Sequence, residues 1–125
     1  MSLRVGGIIR FERTFTAEDV ELFTKISRDE GSHHVTPDEQ GRLIIQGLLT
    51  ATLPTKIGGD YNVLARKMNF EFLRPVFTAD TLRCEVKIEQ LEEQDEKTLI
   101  TASFICQNQN EKEVLRGDFS GVIKK

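Results

Sequence analysis

The second half of the chain alternates. Leu82, Cys84, Val86 and Ile88 fall on one face, and Thr81, Arg83, Glu85, Lys87 and Glu89 on the other, the period of two that marks a half-buried strand. Met68, Phe70 and Phe72 alternate with Lys67, Asn69 and Glu71 in the same way. Ile100, Ala102, Phe104 and Cys106, then Leu115, Gly117, Phe119 and Gly121, continue the rhythm. The polar stretches Glu92 to Lys97 and Asn108 to Lys112 are expected as hairpin tips. A further short strand is expected from Ile8 to Phe15, with Ile9, Phe11 and Phe15 on one face. Consecutive strands of this kind make one antiparallel sheet, and its apolar face has to be covered by something.

The cover comes from the segment between residues 16 and 58. Thr16 is expected as a helix N-cap with Asp19 completing a capping box, and Phe15 and Val20 flank it as a hydrophobic staple would. Val20, Leu22, Phe23 and Ile26 share one side of the helix that follows, leaving Glu18, Glu21 and Lys25 for solvent. Ser27 to Arg42 is polar, holds Gly31, Pro37 and Gly41, and reads mostly as loop. A second helix is expected from about Gly47 to Ile57, ending at Gly58-Gly59. Leu48, Leu49, Ala51, Leu53 and Ile57 surround most of its circumference, so it should be buried on nearly all sides; Pro54 predicts a kink or break. The expected architecture is α+β: one domain over residues 1–125, a sheet curled around a buried helix.

Charge narrows the partners. The formal net charge of −3 is spread over interleaved acidic and basic residues, whereas nucleic acid and anionic membrane both demand a basic face. No segment reaches transmembrane length and no signal-peptide core is visible, which makes the cytoplasm the expected location. Cys84 and Cys106 are expected as buried free thiols.

The segment Ser27-Arg28-Asp29-Glu30-Gly31-Ser32-His33-His34 contains both histidines of the chain and two carboxylates. Asp29 and His34 can meet only if the loop bends back, which Gly31 allows. Met together, they offer acid and base functions near neutral pH; left apart, the same residues are ordinary surface charge. Adjacent His33 and His34 diverge, and no cysteine lies nearby in sequence, which disfavours a metal site.

Four stretches resemble the MaoC-like family of (R)-specific enoyl-CoA hydratases and 3-hydroxyacyl-thioester dehydratases, in the family's order and across nearly the whole chain. Phe15-Thr16-Ala17-Glu18-Asp19-Val20 is similar to F-T-x-E-D-V, and Ser27-Arg28-Asp29 through His34 to S-G-D-x-N-P-x-H. Gln46-Gly47-Leu48-Leu49 stands where the family has H-G-M-L. Phe72-Leu73-Arg74-Pro75-Val76 with Asp80-Thr81-Leu82 resembles F-x-x-P-V-x-x-G-D-x-L. The resemblance implies a hot-dog fold, a homodimer open to further assembly, and a tunnel for a coenzyme A or acyl carrier protein thioester near the subunit interface. It implies no metal or organic cofactor. Asp29 and His34 become a catalytic dyad holding the water that adds to C3 of a trans-2-enoyl thioester, and Gly47 donates its backbone N–H to the thioester carbonyl. A helix N-terminus suits that last role, because negative charge builds on the oxygen; packing between helix and sheet is the other reading of Gly47.

The chain departs from the family at Gly31-Ser32 in place of Asn-Pro, at Gln46 in place of His and at Ala79 in place of Gly, and its loop from His34 to Gly47 is shorter. The rigid turn behind the dyad is therefore expected to be missing. His33 is expected to face solvent, Asp80 to serve a turn, Arg74-Pro75 to mark a strand end, and Arg66, Lys67 and Arg74 to sit on a solvated face rather than hold coenzyme A phosphates. Two other functions stay open: a hot-dog acyl-CoA thioesterase, and a non-catalytic acyl-thioester binding module.

Overall fold

A computed structural model describes residues 3–125; Met1 and Ser2, the first residues of the expected 1–125 domain, lie outside it. The elements follow in the order β1 (Ile8–Thr14), α1 (Ala17–Ser27), α2 (Ser32–Val35), α3 (Gly47–Thr50), α4 (Thr52–Tyr61), β2 (Val63–Phe72), β3 (Thr81–Glu93), β4 (Lys97–Gln107) and β5 (Glu113–Lys124). All five strands join one antiparallel sheet in the order β1-β3-β4-β5-β2. The meander β3-β4-β5 turns at the two polar tips expected for it. The first and last helices of the sequence therefore interrupt the strands without interrupting the sheet.

Alternation translates directly into burial. Along β4 every second residue is buried, and Leu82, Cys84, Val86 and Ile88 of β3 face the same core. Leu53, Pro54 and Ile57 of α4 fill the concave side. Removing Leu53 or Ile57 from water contributes about 2 kcal/mol each, which is what holds the sheet around the helix. Cys84 and Cys106, distant in sequence, are direct cross-strand partners and free thiols. The Cys106 sulfur beside it, together with burial, pushes the Cys84 thiol far above its ordinary pKa, so it stays protonated.

The second helix meets one expectation, its break, and two others need correcting. The second helix breaks at Ala51 into α3 and α4, because Pro54 in the first turn of α4 has no N–H for the carbonyl one turn back. Gly58-Gly59 does not end it; α4 runs to Tyr61, and Asn62 in left-handed conformation caps it. Burial is also less complete than expected, since Leu48 is 59% exposed. On α1 the capping box forms as expected, Asp19 N–H donating to Thr16 Oγ1 at 3.2 Å and Thr16 N–H to Asp19 Oδ2 at 2.9 Å. Its apolar stripe, however, is covered only at Val20 and partly at Phe23; Leu22 and Ile26 lie open, Ile26 at 81%. Helical periodicity identifies a face and does not guarantee something to cover it.

The remaining turns follow the expected chemistry. β2 stops at Phe72, before Arg74-Pro75. Asp80 closes its own turn by accepting the Phe77 N–H at 2.9 Å, and it holds Gln109 Nε2 at 2.9 Å. Ala79 sits at φ +74°, a left-handed backbone that favours glycine, the residue which the resemblance places there.

Candidate active site

Asp29 and His34 meet. After α1, Arg28 takes a left-handed conformation and closes the helix by donating its N–H to the Thr24 carbonyl. The chain then doubles back through Gly31 into the single turn α2, and His34 Nε2 lies 3.5 Å from Asp29 Oδ2. The histidine side chain is 7% exposed and the aspartate 52%, so the pair joins a buried ring to a carboxylate that water can reach. The reversal needs no Asn-Pro: the Asp29 N–H donates to Ser27 Oγ at 3.0 Å and the His34 N–H to the Gly31 carbonyl at 2.8 Å.

The other ring nitrogen of His34 settles the tautomer. Nδ1 is 2.5 Å from the Ile44 carbonyl oxygen, and a carbonyl can only accept, so Nδ1 carries the proton. Nε2 is left with its lone pair toward the Asp29 carboxylate whenever the ring is neutral. Two acceptors facing each other at 3.5 Å are tolerable in two arrangements: a second proton on the ring, or a water donating to both.

Ile44 is itself held in place. Its N–H donates to the His33 carbonyl at 2.9 Å, and it bridges to Phe77 beside β3. The loop leading to it is braced by Asp38, which accepts the N–H groups of Gln40 and Arg42 and pairs with Arg42 Nε at 3.0 Å. The Arg42 backbone hydrogen bond is the chief reason the Asp38 carboxyl is held below the usual carboxylate range. The Arg42 guanidinium in turn lies 3.9 Å over the Phe77 ring. A short loop here is thus a stiff one.

His34, Gly47 and Thr50 share the wall of a cleft of about 340 Å³ with Phe72, Val76 and Val114. Gly47 is the first residue of α3, and its N–H finds no acceptor among the described residues. The packing reading of this glycine also has support: a Cβ at position 47 would stand 2.9 Å from Phe72 Cε1. The two readings agree, because a bare Cα lets the Phe72 ring close one side while the N–H stays open. Phe72, expected on the buried face of its strand, is 53% exposed and lines this cleft. His33 is exposed but does not merely face solvent; it lines the cleft and its ring touches His34. Arg74 lines the cleft too and is tied by Nη1 to the Glu113 carbonyl at 2.6 Å.

Gln46 does not take up a place in the dyad. Its Nε2 donates to Thr24 Oγ1 at 2.8 Å, and that hydroxyl donates to the Val20 carbonyl at 2.8 Å, so α3 is pinned to α1 and the amide orientation is set. Gln46 Oε1 and Thr50 Oγ1 are left buried without partners among the described residues. An unpartnered buried hydroxyl is destabilising. Thr50→Val keeps the β-branched shape and should raise stability by about 1 kcal/mol, read as a melting point a few degrees higher. Nothing in the sequence pattern singles out Thr50 or Gln46 for this.

No family model matches the chain. The mitochondrial 3-hydroxyacyl-[acyl-carrier-protein] dehydratase of Arabidopsis thaliana is 25% identical over 129 residues, spanning 97% of this chain and 78% of that protein. The (R)-hydratase from A. caviae involved in PHA biosynthesis superposes with a TM-score of 0.83 at 25% identity, over 96% of each chain. The unliganded R-hydratase of Pseudomonas aeruginosa, at 19% identity, shares the fold with a TM-score of 0.82 over 98% of this chain and 82% of its own. A sheet curved around its helix, with a helix start opening on a cleft beside the sheet, is the hot-dog fold. Within that class the chain is similar in sequence and fold to an (R)-hydratase and, in sequence, to a 3-hydroxyacyl-[acyl-carrier-protein] dehydratase. No helix of the described residues is long and apolar enough to cross a membrane.

Proposed function

We propose that this protein interconverts trans-2-enoyl and (R)-3-hydroxyacyl thioesters, as a hydratase or dehydratase of fatty-acid metabolism, with Asp29 and His34 as the catalytic pair and Gly47 as the oxyanion donor. The observation carrying the proposal is the 3.5 Å approach of His34 Nε2 to Asp29 Oδ2 beside a cleft that also holds the start of α3. Similarity to the plant 3-hydroxyacyl-[acyl-carrier-protein] dehydratase and to the A. caviae (R)-hydratase supports the same reaction.

The geometry suggests a division of labour. Nδ1 is committed to Ile44, so only Nε2 can move a proton. In the imidazolium–carboxylate state, Nε2–H delivers a proton to C2 while Asp29 takes one from water as the water oxygen bonds to C3. Return of a proton from Asp29 to Nε2 resets the pair. The electron pair displaced from the C2–C3 double bond passes through the enolate oxygen, where the Gly47 N–H stabilises it.

The substrate is a thioester of coenzyme A or acyl carrier protein, and the working unit is a homodimer of single hot-dog domains. β2 is an outer strand ten residues long, with Leu64 and Phe72 exposed along it. Such an edge invites pairing with another strand. The free thiols fit a reducing compartment, which we take to be the cytoplasm; the plant relative is mitochondrial by name. The deciding test is addition of purified protein to crotonyl-CoA and longer enoyl-CoA chains. Loss of the conjugated enoyl-thioester absorbance is expected. Inert enoyl substrates together with thiol release from saturated acyl-CoA would replace this reading by a thioesterase, and tight binding without any turnover would replace it by a binding module.

A further inference from the structure

His33 and His34 are neighbours on one helical turn, and consecutive helical side chains point about 100° apart. Their rings nevertheless meet, with centroids 3.9 Å apart and planes inclined at 61°, an edge-to-face arrangement. The contact packs closely over Gly31. A Cβ at position 31 would stand 3.0 Å from His33 Cε1 and 3.4 Å from His34 Cδ2, so the His33 ring occupies the space over the bare Gly31 backbone. The main chain of His33 points to the same place: its carbonyl accepts the N–H of Ile44, and Ile44 offers its own carbonyl to His34 Nδ1.

One hydrogen bond at Nδ1 anchors an imidazole at a point, and the plane of the ring is then set by what packs against it. A swing of that plane carries Nε2, on the far side of the ring, away from Asp29. We propose that His33 is a positioning residue: its ring, seated over Gly31 and against His34, sets the plane of the catalytic imidazole and keeps Nε2 on the Asp29 carboxylate. It acts through His34, and the inference rests on His34 having the role proposed above. Gly31 and His33 then belong together. The turn that lacks Asn-Pro is stiffened by an aromatic ring in the space which glycine leaves open. A displacement of about 1 Å at a reacting group can lower a rate by as much as 10²-fold, so loss of this support should be visible in turnover.

The test compares His33→Ala, His33→Phe, Gly31→Ala and the double variant His33→Ala/Gly31→Ala with the parent protein and with His34→Ala. His33→Ala should lower kcat by about tenfold with KM little changed, and the melting point should hold. His33→Phe should restore most of the rate, because a ring of similar shape suffices. Gly31→Ala should be impaired alone but add nothing to His33→Ala, since the ring it collides with is gone. The proton on His34 Nδ1, followed by NMR, should exchange with solvent several-fold faster in His33→Ala, whether or not a substrate turns over. Full kcat in His33→Ala, failure of phenylalanine to rescue, additive losses in the double variant, or an unchanged Nδ1 exchange rate would each overturn the inference. Full activity in His34→Ala would overturn the catalytic reading instead, and the exchange rates would still judge whether His33 holds the ring.

Discussion

Asp29→Asn should lower the rate of enoyl-thioester hydration by about 10² to 10⁴-fold, and His34→Ala should do so to a similar degree, the range expected for loss of a general acid or base. Each substitution removes one end of the same 3.5 Å contact. Asparagine keeps the shape of Asp29 and still accepts a hydrogen bond, but it has no carboxylate to take the proton that water must lose. Alanine at 34 removes Nε2 and also leaves the Ile44 carbonyl without its Nδ1 partner. The two losses should therefore not multiply: once either residue is gone the proton cycle is broken, and the double variant should be little slower than the worse single one. Measuring kcat and KM for all three on crotonyl-CoA checks this. Retention of full activity in both single variants would remove the dyad from the mechanism.

The largest structural effect is expected far from the dyad. Gly117→Ala should destabilise the fold by about 3 kcal/mol or more, which lowers the melting point by roughly 10 °C. A Cβ at position 117 would stand 1.9 Å from the Asn69 carbonyl oxygen and 2.8 Å from Phe104 Cζ. Backbone cannot yield as a flexible side chain can, so β2 would have to part from β5 where Phe70 faces Gly117. Position 121 repeats the constraint, with its Cβ 2.4 Å from the Leu64 carbonyl oxygen, next to the bulge between Ala65 and Lys67. Gly59→Ala supplies the contrast. Nothing lies within 4 Å of that Cβ and the residue is inside α4, so alanine should be neutral or stabilising by roughly 0.5–1 kcal/mol. Thermal or denaturant unfolding of the three variants separates close strand approach from ordinary glycine flexibility. Because β2 also carries the Phe72 ring to Gly47, the Gly117 variant should lose thioester binding along with stability.

The sequence by itself determined the local order. Period-two alternation placed the strands, since a half-buried strand must alternate. The Thr16–Asp19 capping box placed the start of α1, since unpaired N–H groups need acceptors there. The resemblance named Asp29, His34 and Gly47 as residues to watch. Only the tertiary structure decided what each of these faces. Leu22 and Ile26 are periodic yet uncovered, because no partner element reaches them. Pro54 marked a break without locating it at Ala51, because where a helix yields depends on what packs around it. Nor could any local pattern reveal that Ile44 supplies the acceptor for His34, that Gln46 turns away to Thr24, or that His33 lies against His34. These are contacts between segments ten or more residues apart, or rings turned by a neighbouring glycine. Distances of that kind are set by how the sheet closes around α4, and they come into being only when the whole chain packs.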